Sequence, residues 1–230
     1  MSLPLCFTHP SNIIVAGPTG CGKTFFVNNV LKYRLFAPMP RRIVVVYAEW
    51  QRYYDDWKDW YPNAEFVHGF TPTIYERFDA RQTNLLVIDD QMGEAGKSST
   101  LLNLFTRGSH HRNLSVLYLV QNIFDKGSAM RGVNLNAQYI VTFKNARDRM
   151  QLVTLGKQMF PDKAQVLTKL IDQETKERPR AYLIVCTRPD VQDRLRVYNG
   201  IFPGETFHCF PLEELDNQSE PVYLVEVVDE

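Results

Sequence analysis

Gly17-Pro-Thr-Gly-Cys-Gly-Lys-Thr24 is the stretch of this sequence that decides the fold. It follows four apolar residues, Ile13-Ile-Val-Ala16, and it leads into Phe25-Phe-Val-Asn-Asn-Val-Leu31, which has helical spacing. A glycine-rich turn between a strand and a helix lets successive backbone N–H groups point at a phosphate, and the helix N-terminus adds positive potential. The residues expected to bind phosphate are Gly17, Pro18, Thr19, Gly20, Cys21, Gly22, Lys23, Thr24 and Phe25.

The chemistry of this loop predicts a nucleoside triphosphate and Mg²⁺ as its ligands. Lys23 is expected to reach the β- and γ-phosphates, and the Thr24 hydroxyl is expected to ligate Mg²⁺. The alternative is a chance glycine turn, which is disfavoured because all four fixed positions of the motif are matched. Cys21 lies near the helix N-terminus, where a thiol pKa can fall, but a small residue at a variable position is the simpler interpretation.

Five further apolar runs predict the strands of a sheet. They are short, rich in β-branched residues and not alternating, which is typical of strands buried on both faces of a parallel sheet. With the strand before the glycine loop, the predicted strands are 13–16, 43–47, 85–88, 116–120, 139–143 and 182–186. The segments between them carry helical spacing or cap signals, and the predicted helices are 23–35, 71–80, 98–107, 146–159 and 162–175.

This alternation predicts an α/β fold, with a mostly parallel sheet and helices on both faces. A length of 230 residues suits one such domain. The composition changes after residue 198, where Asn199-Gly200, Pro203-Gly204 and Pro211 interrupt the pattern. We therefore predict an ATPase core over residues 1–198 and an acidic C-terminal extension over residues 199–230.

The second acidic site is Leu85-Leu-Val-Ile-Asp89-Asp90, an apolar strand that ends in two carboxylates. Asp89 is expected to hold Mg²⁺, and Asp90 is expected to orient and deprotonate the attacking water. An acidic pair that merely ends a strand is the alternative. Water as the acceptor indicates hydrolysis, and the room for a whole strand (43–47) between the two motifs favours the additional-strand class of P-loop ATPases. No Asn-Lys-x-Asp guanine-reading motif is present, so ATP is the expected nucleotide.

Two further positions are candidate catalytic residues. Gln121 follows the predicted strand 116–120, where a polar amide can touch both the γ-phosphate and the attacking water, although such a residue can simply cap a loop. Arg107 is the first candidate for an arginine finger supplied by a neighbouring subunit, and Arg112 is the second. For either arginine alone, a solvated charge or a phosphate contact is an equal alternative.

The charge distribution favours a polyanionic partner. Residues 205–230 contain eight carboxylates and no Lys or Arg, so the zero net charge conceals 26 basic against 18 acidic side chains in residues 1–204. Duplex DNA bound by charge and shape fits this excess, and an ordinary solvated tail on a mildly basic domain is the alternative. The candidate DNA contacts are Lys126, Arg131, Lys144 and Arg147.

The compartment is predicted from cysteine usage and from the absence of apolar segments. The four cysteines show no C-x-x-C pairing, so neither a zinc site nor a disulfide framework is indicated. No secretory signal and no apolar stretch of membrane-spanning length is present. These features predict a soluble intracellular protein without a membrane segment.

The order of these motifs resembles the FtsK–HerA superfamily. The stretch from His110 to Asn122 (His-His-Arg-Asn-Leu-Ser-Val-Leu-Tyr-Leu-Val-Gln-Asn), with Lys144-Asn-Ala-Arg-Asp148 and Leu155-Gly-Lys-Gln-Met-Phe-Pro161, is similar to the genome packaging ATPases of large DNA viruses (poxvirus-like), Polinton/Maverick-type and adintovirus-like elements. Asp90 stands where many relatives carry Glu. The resemblance implies a RecA-like ring that uses ATP to pump double-stranded DNA into a capsid. It also implies capsid or portal partners, and action in the host nucleus, in a viral factory or at the virion vertex.

Three functions therefore remain open at the level of sequence. The leading hypothesis is a DNA translocase that packages double-stranded DNA. An ATP-binding assembly or scaffold protein with little turnover is the first alternative. A small-molecule kinase is the second, and the absence of an arginine cluster beside a second pocket weighs against it.

Overall fold

The centre of the protein is a ten-stranded sheet with helices on both faces. The computed structural model describes residues 5–89, 98–108, 111–124, 129–211 and 223–226. The strands are β1 Phe7–Thr8, β2 Asn12–Ala16, β3 Phe36–Ala37, β4 Arg42–Tyr47, β5 Glu65–His68, β6 Asn84–Asp89, β7 Leu114–Val120, β8 Tyr139–Phe143, β9 Tyr182–Cys186, β10 Val197–Asn199, β11 Thr206–Cys209 and β12 Tyr223–Glu226. β1 and β3 pair separately, and the order across the main sheet is β12-β11-β10-β9-β8-β2-β7-β6-β4-β5.

The described helices are α1 Lys23–Lys32, α2 Tyr53–Trp60, α3 Ser99–Asn103, α4 Met130–Leu135, α5 Met150–Met159 and α6 Val166–Glu177. A π-helical turn, Leu104–Gly108, continues α3. Side chains of α1 and α2 pack on one face of the sheet, with alternate strand residues such as Ile13 and Val87. Side chains of α3, α4, α5 and α6 pack on the other face. The predicted two-faced burial of the strands is confirmed.

The direction of the strands corrects part of the sequence reading. β8, β2, β7, β6 and β4 run parallel, as predicted. β5, which the sequence did not predict, pairs parallel with β4. β9, predicted from the same kind of apolar run, pairs antiparallel with β8. Burial on both faces removes the alternation of polar and apolar residues in either direction, so the pattern could not distinguish the two. In addition, the strand that separates β2 from β6 in the sheet is β7, whereas β4 lies beyond β6.

The predicted helix over residues 71–80 is wrong, because only one 3-10 turn forms there, Ile74–Arg77. The backbone is extended at Phe78. Immediately after it, the Asp79 side chain accepts a hydrogen bond from the backbone N–H of Arg81 at 2.9 Å. Such a local bond offers the backbone an alternative to continuing the helix.

The C-terminal part of the described chain adds further strands to the same sheet. β10 pairs with β9, β11 with β10, and β12 with β11, all antiparallel. The predicted division at residue 198 falls inside β10 and stays a prediction. Because of this antiparallel pairing, the described strands of the extension continue the sheet that carries the phosphate loop.

Candidate functional site

The glycine loop has the backbone that its sequence predicts. β2 ends at Ala16, and the backbone N–H of Gly17 donates to the carbonyl oxygen of Val120 at 3.1 Å, which ties the loop to the end of β7. Gly20 and Gly22 have φ angles of 80° and 115°, a region that disfavours residues with a Cβ. A Cβ added to Gly17 would lie 2.6 Å from the Sγ of Cys21. The loop therefore requires glycine at these positions, and α1 begins directly after it at Lys23.

Lys23 is folded back over the loop. Its Nζ donates to the carbonyl oxygen of Gly17 at 2.7 Å and to that of Pro18 at 3.1 Å. These two acceptors hold the ammonium group against the first residues of the loop. An incoming phosphate oxygen can replace either carbonyl as the acceptor, with a stronger, charge-assisted bond.

A cavity of about 310 Å³ brings the predicted phosphate and metal residues together. It lies at the carboxyl ends of β2, β6 and β7, where ligands bind in open parallel sheets. Side chains from four separate elements line it: Lys23 and Thr24 of α1, Asp89 of β6, Gln121 after β7, and Tyr53 of α2. Of the predicted phosphate-loop residues, Thr19, Gly20, Gly22 and Phe25 also line it. The hydroxyl of Thr24 and the carboxylate of Asp89 are the hard oxygen donors that Mg²⁺ prefers.

Asp89 is held by a tyrosine that the sequence reading missed. The carboxylate is 5% exposed, and its Oδ2 accepts a hydrogen bond from the Tyr54 hydroxyl at 2.8 Å. Tyr54 is fully buried on α2, and its ring packs against Trp57 and Tyr47. The aromatic run around residue 54 signals a buried helix face, but no local pattern connects it to a residue 35 positions later. Asp90, the predicted base, lies outside the described residues.

Gln121 is exposed at the end of β7 and lines the phosphate-loop cavity. Because β7 lies between β2 and β6, this amide stands between the two strands that carry the predicted nucleotide motifs. The sequence predicted the residue. The strand order of the sheet explains why Gln121 lies near the phosphate loop, although the two are far apart along the chain.

Of the two arginine-finger candidates, only Arg112 has a described side chain. The backbone of Arg107 belongs to the π-helical turn after α3, and its side chain lies outside the description. Arg112 lies just before the amino end of β7, whereas the cavity of its own chain lies at the carboxyl ends of the strands. Its guanidinium donates to the carbonyl oxygen of Tyr75 at 3.0 Å and lies 5.0 Å from the centroid of the Tyr75 ring. Any action of Arg112 on a nucleotide therefore has to be on that of another subunit.

The predicted DNA contacts lie in two places. Lys144 and Arg147 follow the carboxyl end of β8, at the same edge of the sheet as the phosphate loop, and both are exposed. Lys144 pairs with Asp172 at 3.1 Å. Arg131, exposed in the first turn of α4, lines a different cavity of about 700 Å³ that shares no residue with the phosphate-loop cavity. Lys126 lies outside the described residues.

The expectation that the pKa of Cys21 can fall is wrong. Burial raises the pKa of this thiol, and it outweighs the opposing charge of Lys23. Cys21 is thus a small packing residue of the loop, next to Gly17.

The described part of the chain lacks both a membrane-spanning helix and a cluster of metal-ligating side chains. It has no helix long and apolar enough to cross a bilayer. The same residues contain no group of three His, Cys, Asp or Glu side chains placed to hold a metal ion.

Comparison with solved structures identifies the fold. No protein-family model and no curated protein sequence matches this chain. The crystal structure of B204, the DNA-packaging ATPase from Sulfolobus turreted icosahedral virus, is similar with a TM-score of 0.53 and 16% identity, over 77% of this chain and 93% of that chain. The genome packaging NTPase B204 from Sulfolobus turreted icosahedral virus 2, in complex with ATP-gammaS, is similar with a TM-score of 0.52 and 16% identity, over 76% and 92% of the two chains.

The sulfate complex of the second protein gives a TM-score of 0.51 at 15% identity, over 77% of this chain and 91% of that chain. At such low identity the likeness establishes the fold alone. The chain has the α/β fold of RecA-like P-loop ATPases, as the sequence predicted. The narrower resemblance to Polinton/Maverick-type elements stays a prediction.

Proposed function

We propose that this chain is an ATPase that drives double-stranded DNA into a viral or virus-like capsid. The observation that carries the proposal is the single cavity in which Lys23, Thr24, Asp89 and Gln121 meet. A phosphate loop alone fits kinases, GTPases and motors equally. The amide between the loop strand and the Asp89 strand favours a motor, and the likeness in fold to the B204 DNA-packaging ATPase supports the same choice.

Different residues of the cavity are proposed to bind the phosphates of ATP and Mg²⁺. The N–H groups of the loop and the Lys23 ammonium bind the β- and γ-phosphates. Thr24 and Asp89 hold Mg²⁺, which neutralises charge on the phosphate oxygens when it is bound. Tyr54 fixes the orientation of the Asp89 carboxylate through its hydroxyl. This arrangement binds and aligns the γ-phosphate without covalent chemistry by the protein.

Hydrolysis then requires an aligned water molecule and additional positive charge. Gln121 is placed to orient the water, and Asp90 is the proposed base. The proposed positive charge comes from Arg107 or Arg112 of a neighbouring subunit. Arg112 lies at the amino ends of the strands, and the cavity of its own chain lies at their carboxyl ends. The active unit is therefore an oligomer, for which a ring around DNA is the proposed form.

The DNA surface is proposed to include Lys144 and Arg147, with Arg131 and Lys126. The first two follow the carboxyl end of β8, the strand that pairs with the phosphate-loop strand β2. Contacts of this kind neutralise phosphates and carry no base sequence information. Portal or capsid proteins at the virion vertex are the proposed partners.

The test is ATP hydrolysis with and without duplex DNA. We expect duplex DNA to raise the rate several-fold, less at high salt because released counterions oppose binding. Arg147→Ala should reduce the stimulation but retain the basal rate. Arg81→Ala is the matched control, since this exposed arginine lies in the turn before β6, at the amino ends of the strands and away from Arg147. Equal hydrolysis with and without DNA in the assembled protein would refute the DNA motor.

A further inference from the structure

Phe25 is an exposed aromatic residue beside the phosphate loop. It follows Thr24 in the first turn of α1, and 41% of it is exposed. The next residue, Phe26, is 1% exposed and packs its ring against Tyr182 and Phe202. The centroid of the Phe25 ring lies 6.5 Å from that of the Tyr53 ring, and both residues line the phosphate-loop cavity, so Phe25 is available to contact a bound ligand.

Phe25 stands between the phosphate-loop cavity and a second, apolar cavity. This second cavity, the side recess, has a volume of about 440 Å³, and its walls include Phe25, Phe143, Pro179, Tyr182 and Phe202. Gly22, Phe25 and Arg180 line both cavities, so the two adjoin at the first turn of α1. A ligand whose phosphates occupy the loop can extend into the recess.

Besides Phe25, Arg180 is the residue whose side chain lines both cavities. Its side chain passes over the phosphate loop, since a Cβ added to Gly22 would lie 3.8 Å from the Cδ of Arg180. The segment after α6 is anchored by Arg178, which pairs with Glu174 at 2.6 Å and with Glu205 at 3.7 Å. Arg180 itself is exposed, and it makes no ion pair with the residues that the structure describes.

We propose that the side recess holds the purine base of the bound nucleotide, between Phe25 and Arg180. The proposal rests on the phosphate site assigned under the proposed function. Aromatic and aliphatic walls suit the flat faces of a base, and a guanidinium is attracted to such a π surface. A purine has the larger stacking area and gains more from these walls than a pyrimidine does. The recess thus determines which nucleotides bind, and the loop holds the phosphates that they share.

The test separates the base from the phosphates by comparing two ligands in calorimetric titrations. AMP-PNP carries both parts, and inorganic tripolyphosphate carries only phosphates. Phe25→Ala should weaken AMP-PNP binding about tenfold and leave tripolyphosphate binding unchanged. Arg180→Lys keeps the positive charge but loses the planar guanidinium, so it should weaken AMP-PNP about threefold to tenfold with no effect on tripolyphosphate. Arg81→Ala is the control that changes neither affinity.

The results can overturn the base site without touching the phosphate site. If both variants bind AMP-PNP as wild type does, or weaken the two ligands equally, the recess does not hold the base. The preference of wild type for AMP-PNP over the uridine analogue UMP-PNP should shrink in Phe25→Ala, and an unchanged preference also contradicts the proposal. If wild type binds neither AMP-PNP nor tripolyphosphate, or Lys23→Ala binds both normally, the phosphate site and the proposed function fail instead.

Discussion

Replacing Tyr54 by Phe removes one hydroxyl and nothing else from the support of Asp89. The ring is fully buried, and its hydroxyl donates at 2.8 Å to a carboxylate that is only 5% exposed. A hydrogen bond to a charged group contributes about 1.5–3 kcal/mol. We therefore expect the free energy of unfolding to fall by about 1.5–3 kcal/mol. For a chain of this size the melting temperature should fall by roughly 3–12 °C.

Chemical denaturation and thermal unfolding, both followed by circular dichroism, measure this change. Tyr53→Phe is the matched control, because this residue is the half-buried neighbour on α2 and its hydroxyl makes no hydrogen bond within the described chain. Tyr54→Phe should also require more Mg²⁺ than wild type to reach half-maximal AMP-PNP binding, since the carboxylate is less well oriented. Equal stability of the two variants would refute the role assigned to Tyr54.

Three other perturbations test the fold and the loop. Gly200→Ala places a Cβ 1.9 Å from the carbonyl oxygen of Thr206 at a φ of 70°, so it should cost about 2 kcal/mol or more in chemical denaturation, and a cost below about 0.5 kcal/mol would contradict the β10–β11 geometry. Burial raises the pKa of Glu174, but Arg178, Asn199 and His208 together hold it below its ordinary value of 4.5. Its ionised form therefore stabilises the protein above about pH 4.5, and that contribution is lost as the pH falls through the folded-state pKa; unfolding measured from pH 6 downward should show this loss in wild type and a shallower loss in Glu174→Gln. Because burial raises the pKa of Cys21, its alkylation by iodoacetamide at pH 7.5, followed by peptide mass spectrometry, should be slower than that of a free cysteine, and faster alkylation would contradict the assigned burial.

The parts of the fold that the sequence predicted are those with strong local patterns. The phosphate loop, the six apolar strands and α1 all have signals within about ten residues, and all form. The direction of β9 has no local signal, because it depends on the path of α5 and α6 between β8 and β9. α2 was missed although its aromatic residues recur at helical spacing and Tyr54 and Trp57 are buried.

The sequence predicted the motif residues of the candidate site but not the residues that contact them from other parts of the chain. Lys23, Thr24 and Asp89 follow from motifs, and the structure places them around one cavity. Tyr54 and Arg180 belong to no motif, and they reach the site only because the sheet brings α2 and the segment after α6 to the loop. Residues of this kind depend on tertiary structure, so spacing along the chain cannot reveal them.

The central claim is that ATP bound at this loop drives movement along duplex DNA, and triplex displacement measures that movement most directly. A third strand annealed to a duplex is removed when a motor passes, and its release is followed by fluorescence. The account predicts release with ATP, no release with AMP-PNP, and no release by Lys23→Ala. If the assembled protein hydrolyses ATP on the same DNA and the third strand stays bound, the chain is an ATPase but not a DNA translocase.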